Sequence, residues 1–280
     1  MGRIARSWAL VKASATILRS DRELLVFPLL STVCSLIVVA TFMVPAILSG
    51  PVAKFDQGGD SPWLWPLVFL FYLIQYFVIF FFNAALVGAA RIRLDGGDPS
   101  VADGLRIAAA RWPQILGYAA IAATVGMILR AIQERAGLIG RWITGLLGVA
   151  WTVASFLVVP VLVSEDLGPI DAVKRSASLL KQTWGENLAG NIGTGLVFGL
   201  IAMVWIFACL GLLALAISTQ SAVAIVAIVV VMALGIILIG LVQSALQGIY
   251  AAVLHRYACS GDVGSGFDGA LVAGAFKVKA

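Results

Sequence analysis

The chain has 280 residues, 61% of them hydrophobic and only 12% charged, with a formal net charge of +5. A soluble domain of this length is nearer half apolar and a quarter charged, and it lacks apolar runs of roughly 20 residues, the length that crosses a bilayer. A soluble globular domain is therefore excluded, and the composition requires a polytopic membrane protein.

The N-terminal segment is broken up by Lys12, Arg19, Asp21, Arg22 and Glu23. It lacks the uninterrupted apolar core of a cleaved signal peptide and is expected to stay on the protein. The first predicted span is Leu24 to Leu48, interrupted by Pro28 and Pro45, and the second is Trp63 to Ala90. A shorter third run, Ile115 to Leu129, stops at Arg130. Trp142 to Val163, Ile192 to Ile217 and Ala222 to Leu254 complete the set. At about 1.5 Å per residue the last run exceeds a ~30 Å hydrocarbon core, so it must tilt or extend beyond it. Proline and glycine inside the runs are tolerable because neighbouring helices can satisfy the freed backbone groups.

The short connections set the orientation. With the N-terminus inside, Arg91, Arg93, Arg106, Arg111, Lys174, Arg175, Lys181, Arg256, Lys277 and Lys279 join the N-terminal basic residues on the cytosolic side. Only Lys54, Arg130, Arg135 and Arg141 fall opposite. The positive charge thus reports topology and contact with anionic lipid. It is no nucleic-acid signature, because no basic patch is interleaved with stacking aromatics.

One basic, small-residue segment is written twice: VKASATILRS from Val11 and VKRSASLLKQ from Val173, identical at five of ten positions. On a helix, Ile170, Val173, Ala177, Leu180 and Trp184 form an apolar stripe opposite Asp171, Lys174, Arg175, Ser178 and Lys181. Ile4, Trp8, Val11, Ala15 and Leu18 make the same stripe in the first copy. A fainter copy, DGLRIAAA from Asp103, follows the order of DAVKRSAS from Asp171; Ser100 and Asp103 resemble a capping box before it.

The expected fold class is therefore all-α: a polytopic bundle of six transmembrane helices arranged as three hairpins, each preceded by an amphipathic cytosolic helix. One transmembrane domain over 1–260 holds repeat-like units at about 1–90, 100–164 and 168–257, and a glycine-rich cytosolic tail covers 261–280. Convergence of juxtamembrane helices on similar letters is the alternative to a true repeat. Lys12, Arg19, Lys174, Arg175 and Lys181 are expected to face anionic headgroups.

The stretch VVPVLVSEDLGPIDAVKRSASLLKQTW, from Val158, carries a Pro, acidic-pair, Gly-Pro and basic-Ser pattern. It resembles the membrane domain attached to some glycerophosphoryl diester phosphodiesterases. RSWALVKASATILRSDRELLVFPLL and YAAVLHRYACSGDVGSGF resemble an uncharacterised family of six-span, actinobacterial-type membrane proteins. These resemblances imply a multi-pass protein of the bacterial cytoplasmic (inner) membrane, and the Lys and Arg bias of the connections is expected to set both termini in the cytosol. They bring no catalytic residues, since the phosphodiesterase barrel is not represented.

The chemistry-bearing residues are few. The single histidine, His255, reads as a snorkelling or hydrogen-bonding residue at the end of the last span. Cys34, Cys209 and Cys259 are dispersed, and no nucleotide fingerprint occurs. The expectation is no enzyme, no catalytic residue, no bound metal and no cofactor. Gly195 and Gly199, and Gly145 and Gly148, suggest close helix packing.

Uncharged polar residues inside the spans are the remaining signal. Asn83, Asn187, Asn191, Gln243, Gln247 and Tyr250 all fall in the expected cytosolic half, with Gln75 deeper. They can hydrogen-bond between helices or line a cytosol-facing polar cavity. Two functions follow: a non-enzymatic module organising lipid or partner proteins, or a permease or channel for a small solute or lipid. The expected partners are anionic membrane lipids, and a protein partner or homo-oligomer would suit the same surfaces.

Overall fold

The computed structural model describes residues 14–19, 21–48, 64–135, 137–182 and 187–261. Residues 14–19 are helical and lead to a 3₁₀ turn, Arg22–Leu25. The helices that follow are α1 (Val26–Leu48), α2 (Leu64–Leu94), α3 (Val101–Ala110), α4 (Trp112–Arg135), α5 (Leu138–Ala154), α6 (Val158–Ser164), α7 (Pro169–Gln182), α8 (Asn187–Ser218) and α9 (Ala222–Ser260). No strand occurs among the described residues.

Six stretches are long and apolar enough to cross a membrane: Glu23–Pro45, Trp65–Leu94, Trp112–Arg135, Gly140–Ser164, Val197–Ser218 and Ala222–Ser260. They match the six predicted runs, with two differences. The third span does not stop at Arg130 but runs to Arg135. The Arg130 guanidinium donates to the Tyr72 hydroxyl at 3.0 Å and to Glu134 at 2.9 Å, so its charge is held without ending the helix. The fourth span is broken at Ser155–Leu157 into α5 and α6. Pro160 explains the break. It has no amide hydrogen to donate to the Phe156 carbonyl, and its ring would clash there in a continuous helix. As the third residue of α6 it sits in a first turn, where that donor is not needed.

The core lies at one end of the bundle, the end that carries α3 and α7, called the base below. Ala84 to Ala90 of α2 and Ala245 to His255 of α9, except the half-buried Gln247, are buried, as are Val158 to Val163 of α6. Leu24 and Phe27 close the cluster from the N-terminal side. At the other end the helices present apolar side chains outward, for example Trp142 and Leu146 on α5, Phe207 on α8 and Val223, 80% exposed, on α9. An exposed apolar surface of this extent suits hydrocarbon, not water. The 39 residues of α9 run for about 58 Å, nearly twice a ~30 Å hydrocarbon core. Its first half packs mainly on α8 and its second half fills the base.

Small residues make the base tight. α2 is the hub, packed against α1, α3, α4, α6 and α9. A Cβ on Gly248 of α9 would fall 2.4 Å from Leu86, and one on Gly104 of α3 would fall 2.5 Å from the Phe27 ring and 2.7 Å from the Ala85 carbonyl oxygen. The glycines singled out from sequence, Gly145, Gly148, Gly195 and Gly199, face open space instead. G-x-x-x-G spacing permits a close crossing, but the crossings form elsewhere.

The capping box is as expected. The Ser100 hydroxyl accepts from the Asp103 amide at 3.2 Å, and the Asp103 carboxylate accepts from the Ser100 amide at 3.1 Å. Those bonds from Ser100 hold the Asp103 carboxyl below the usual range.

Gly104→Ala should lower the thermal stability of the detergent-solubilised protein by about 1–3 kcal/mol, outweighing the gain of up to about 1 kcal/mol from alanine's helix propensity. Gly145→Ala, which meets nothing, should be neutral or stabilising. Equal melting temperatures for the two variants would contradict the close crossing of α3 over α2.

Candidate functional site

The base gathers most of the polar chemistry among the described residues. Glu165 follows α6 as its C-cap in extended conformation, and His255 and Cys259 lie four residues apart on α9. That spacing puts both side chains on one helix face. His255 is 5% exposed, Cys259 is exposed, and the Glu165 side chain is one-quarter exposed. Glu165 Oε1 is 3.2 Å from His255 Nε2 and 3.8 Å from Cys259 Sγ, and that Nε2 is 3.6 Å from the same sulfur. From the other side, Arg175 Nε donates to Oε1 at 3.3 Å and Oε2 at 3.2 Å, fixing the carboxylate.

Around this cluster the loops are tied by ion pairs and hydrogen bonds. Arg91 donates to the Ser164 hydroxyl at 2.7 Å. Arg111 pairs with Asp166, and Arg256 with Asp95. Glu23 accepts from the Val101 amide at 3.1 Å, joining the N-terminal turn to the start of α3. Asp21 is buried, and one of its oxygens, Oδ2, has no hydrogen-bond partner among the described residues. Burial pushes its carboxyl up, against the pull of the Glu23 amide and Arg93.

The broken fourth span has its own cap. The Ser176 hydroxyl of α7 donates to the Ala154 carbonyl at 2.7 Å and accepts from the Leu157 amide at 3.1 Å. One side chain thus satisfies a carbonyl and an amide on either side of the break, where Leu157 is fully buried. Ser176 aligns with Ser14 in the duplicated segment, and Ser14 is buried as well. Ile17 and Leu18 likewise match Leu179 and Leu180, all four buried.

The predicted polar residues separate into groups. Asn83 of α2 faces α9 near Gly248, where its Oδ1 would be 3.5 Å from a Cβ. Gln243 and Gln247 are half-buried, and neither makes a side-chain hydrogen bond among the described residues. Tyr250 is buried against Phe156 of the break, with ring centroids 6.3 Å apart, and its hydroxyl has no partner among the described residues. Gln75 Oε1 is also buried without one. The side chains of Asn187 and Asn191 lie outside the described residues. The interhelical hydrogen bonds expected of Asn83, Gln243 and Gln247 are therefore absent among the described residues.

Of the predicted headgroup contacts, Arg19, Lys174 and Lys181 are exposed, and Lys174 pairs with Asp171 at 3.2 Å on the surface. Arg175 instead turns to Glu165. Lys12 lies outside the described residues. Sequence reasoning did not single out Glu165 or Ser176. Ser176 had a signal, since it is identical in both copies of the segment, whereas Glu165 stood only as one letter of an acidic pair.

Six apolar spans packed around a polar base define an α-helical multi-pass membrane protein. The chain belongs to a family of unknown function (DUF6159), whose model matches residues 64–267, from the start of α2 to just beyond α9. No curated protein and no solved structure matches it.

Ser176→Ala leaves a buried carbonyl and amide at the break unpaired, which costs about 1–3 kcal/mol. Thermal unfolding should show that loss, while Ser178→Ala on the exposed side of α7 should stay within about 0.5 kcal/mol of wild type. An unchanged melting temperature for Ser176→Ala would mean that α7 does not hold the break.

Proposed function

We propose that this is a non-enzymatic membrane protein of a bacterial cytoplasmic membrane that binds anionic lipid headgroups through the basic faces of its base helices. The observation that carries this reading is the placement of α3 and α7. Each buries small and apolar residues against the bundle, Gly104 and Ala108 in one, Ala172, Ser176, Leu179 and Leu180 in the other. Each leaves cations outward: Arg106, Lys174 and Lys181. The excess of Lys and Arg at the base supports placing it, and both termini, in the cytosol. The matched burial of Ser14 and Ser176 favours an internal repeat of amphipathic helix plus hairpin. The resemblance of the Val158–Trp184 stretch to the membrane domain of glycerophosphoryl diester phosphodiesterases points the same way, toward a lipid-facing accessory module.

Each basic residue near an anionic surface contributes on the order of 1 kcal/mol. The triple variant Arg106→Glu, Lys174→Glu, Lys181→Glu should therefore retain markedly less anionic lipid in native mass spectrometry, with its melting temperature preserved. Unchanged lipid retention by the folded variant would show that these faces meet protein instead.

A second reading, facilitated passage of a small solute, is favoured by the buried Tyr250 hydroxyl, without a partner among the described residues, beside the break in the fourth span. Irregular backbone at membrane depth is tolerated where it is buried in protein or lines a cavity. A cysteine at position 247, in a background without native cysteines, separates the two readings. Slow modification by a polar, membrane-impermeant thiol reagent, and only after permeabilisation, agrees with a packed base in the cytosol. Bulk-like rates would support a wet passage, and modification in intact cells would reverse the orientation.

A further inference from the structure

We propose that Glu165 Oε1, His255 Nε2 and Cys259 Sγ form a three-ligand site for Zn²⁺ at the base of the bundle. The argument begins with the separations of the three donor atoms, 3.2, 3.6 and 3.8 Å. A tetrahedral Zn²⁺ bound at about 2.0 Å to nitrogen and oxygen and about 2.3 Å to sulfur holds such ligand atoms roughly 3.3–3.6 Å apart. The triangle already has the size of one face of that tetrahedron.

The direction of the imidazole is the second observation. The same ring nitrogen, Nε2, faces both the carboxylate and the thiol. One nitrogen cannot donate to Glu165 and accept from Cys259 at once. A nucleophile–base–carboxylate relay needs the two ring nitrogens to face different partners, so this geometry does not build one. Without an ion Glu165 Oε1 can accept from both the imidazole and the thiol; with Nε2 and Sγ deprotonated, the three donor atoms converge on one point, as a bound cation requires.

The donor set and its surroundings fit a borderline-soft divalent ion. Imidazole and thiolate suit zinc, and a carboxylate is a common third ligand. Thiolate and carboxylate together neutralise the ion's charge. Arg175 holds Glu165 through both oxygens, the kind of outer contact that orients a metal-ligating carboxylate. His255 is buried and Cys259 is exposed, so the fourth position opens toward solvent, where a water or an incoming ligand can enter. Glu165 and His255 are 90 positions apart. An ion here would clip the end of α9 to the loop between α6 and α7, closing a long loop at the point where α7 caps the broken span. This inference does not depend on whether the base helices bind lipid.

The test uses the full-length protein, purified in detergent and stripped with a chelator. Titration with Zn²⁺ should show one site per chain and raise the melting temperature. Co²⁺ in its place should give visible d–d bands of tetrahedral intensity and a thiolate-to-metal charge-transfer band in the near ultraviolet. Cys259→Ser, an exposed and conservative change, should abolish the charge-transfer band. It should also weaken Zn²⁺ binding by no less than the roughly 10- to 100-fold that loss of an outer-shell partner costs. Glu165→Gln should weaken binding while leaving the thiolate band detectable at high Co²⁺. Failure of the folded wild-type protein to bind Zn²⁺ at one per chain would overturn the proposal. So would Zn²⁺ affinity and Co²⁺ spectra unchanged in Cys259→Ser, which would place the ion elsewhere.

Discussion

The close approach of α2 to its neighbours is the constraint on which the base depends. Lipid tails are as apolar as the side chains that leave them, so helices in a membrane gain little from burial alone and associate through van der Waals packing. Such packing needs backbones to come near one another. α2 supplies Ala84, Ala85, Gly88, Ala89 and Ala90 in seven residues, and α9 answers with Ala245, Gly248, Ala251 and Ala252. Leu86 fills the space over Gly248, and the Ala85 carbonyl lies directly under Gly104 of α3. Where side chains are large, as in the outer halves of α8 and α9, the helices face outward. Even there one close approach occurs, where the Trp205 ring of α8 lies over Gly235 of α9 and donates to the Met232 carbonyl at 3.3 Å.

The tight base makes the irregular features tolerable. A break in a spanning helix exposes a carbonyl and an amide that lipid cannot satisfy. Here the break falls inside the base, between Phe156 packed on Tyr250 and Leu157 fully buried, and the Ser176 hydroxyl serves both groups. α7 is therefore not merely a surface helix that follows a span. It is a packed part of the bundle whose inner face closes the fourth span and whose outer face carries the cations. α3 does the equivalent on α2 through Gly104, without a break to cap. α7 thus joins exposed cations, Lys174 and Lys181, to the structural closure of the fourth span in one helix.

The ion pairs at the base act by position more than by strength. Exposed pairs such as Lys174–Asp171 contribute little, with a median of about 0–1 kcal/mol. Arg175, Arg91, Arg111 and Arg256 each reach across from one element to another, and together they hold the loop after α6 and the end of α9 in register. Their partners, Glu165, Ser164, Asp166 and Asp95, all lie in connections or at helix ends. This is how a chain with so few charges can fix its loops.

Much of this architecture could be read from the letters. The six spans and the capping box at Ser100 and Asp103 follow from hydropathy and local spacing. These are properties of neighbouring residues, and the bilayer requirement acts on each run separately. The face that α7 buries, Ala172, Ser176, Leu179 and Leu180, is by contrast not the predicted stripe, since Ile170 is exposed. By sequence Arg130 marks the end of the third span; its partners, Tyr72 on another helix and Glu134, remove that boundary. The glycines gave the reverse error, since G-x-x-x-G spacing says that a helix can be approached and not which face is. His255, read alone, was an interfacial residue, and Glu165 was a loop acid. Only the tertiary structure joins them with Cys259, because a separation of 90 positions between Glu165 and His255 leaves no local spacing to detect. Composition and periodicity determined which segments enter the membrane, and the crossing of α2, α7 and α9 decided which side chains meet, because a contact between helices depends on where they cross and not on the sequence of either one.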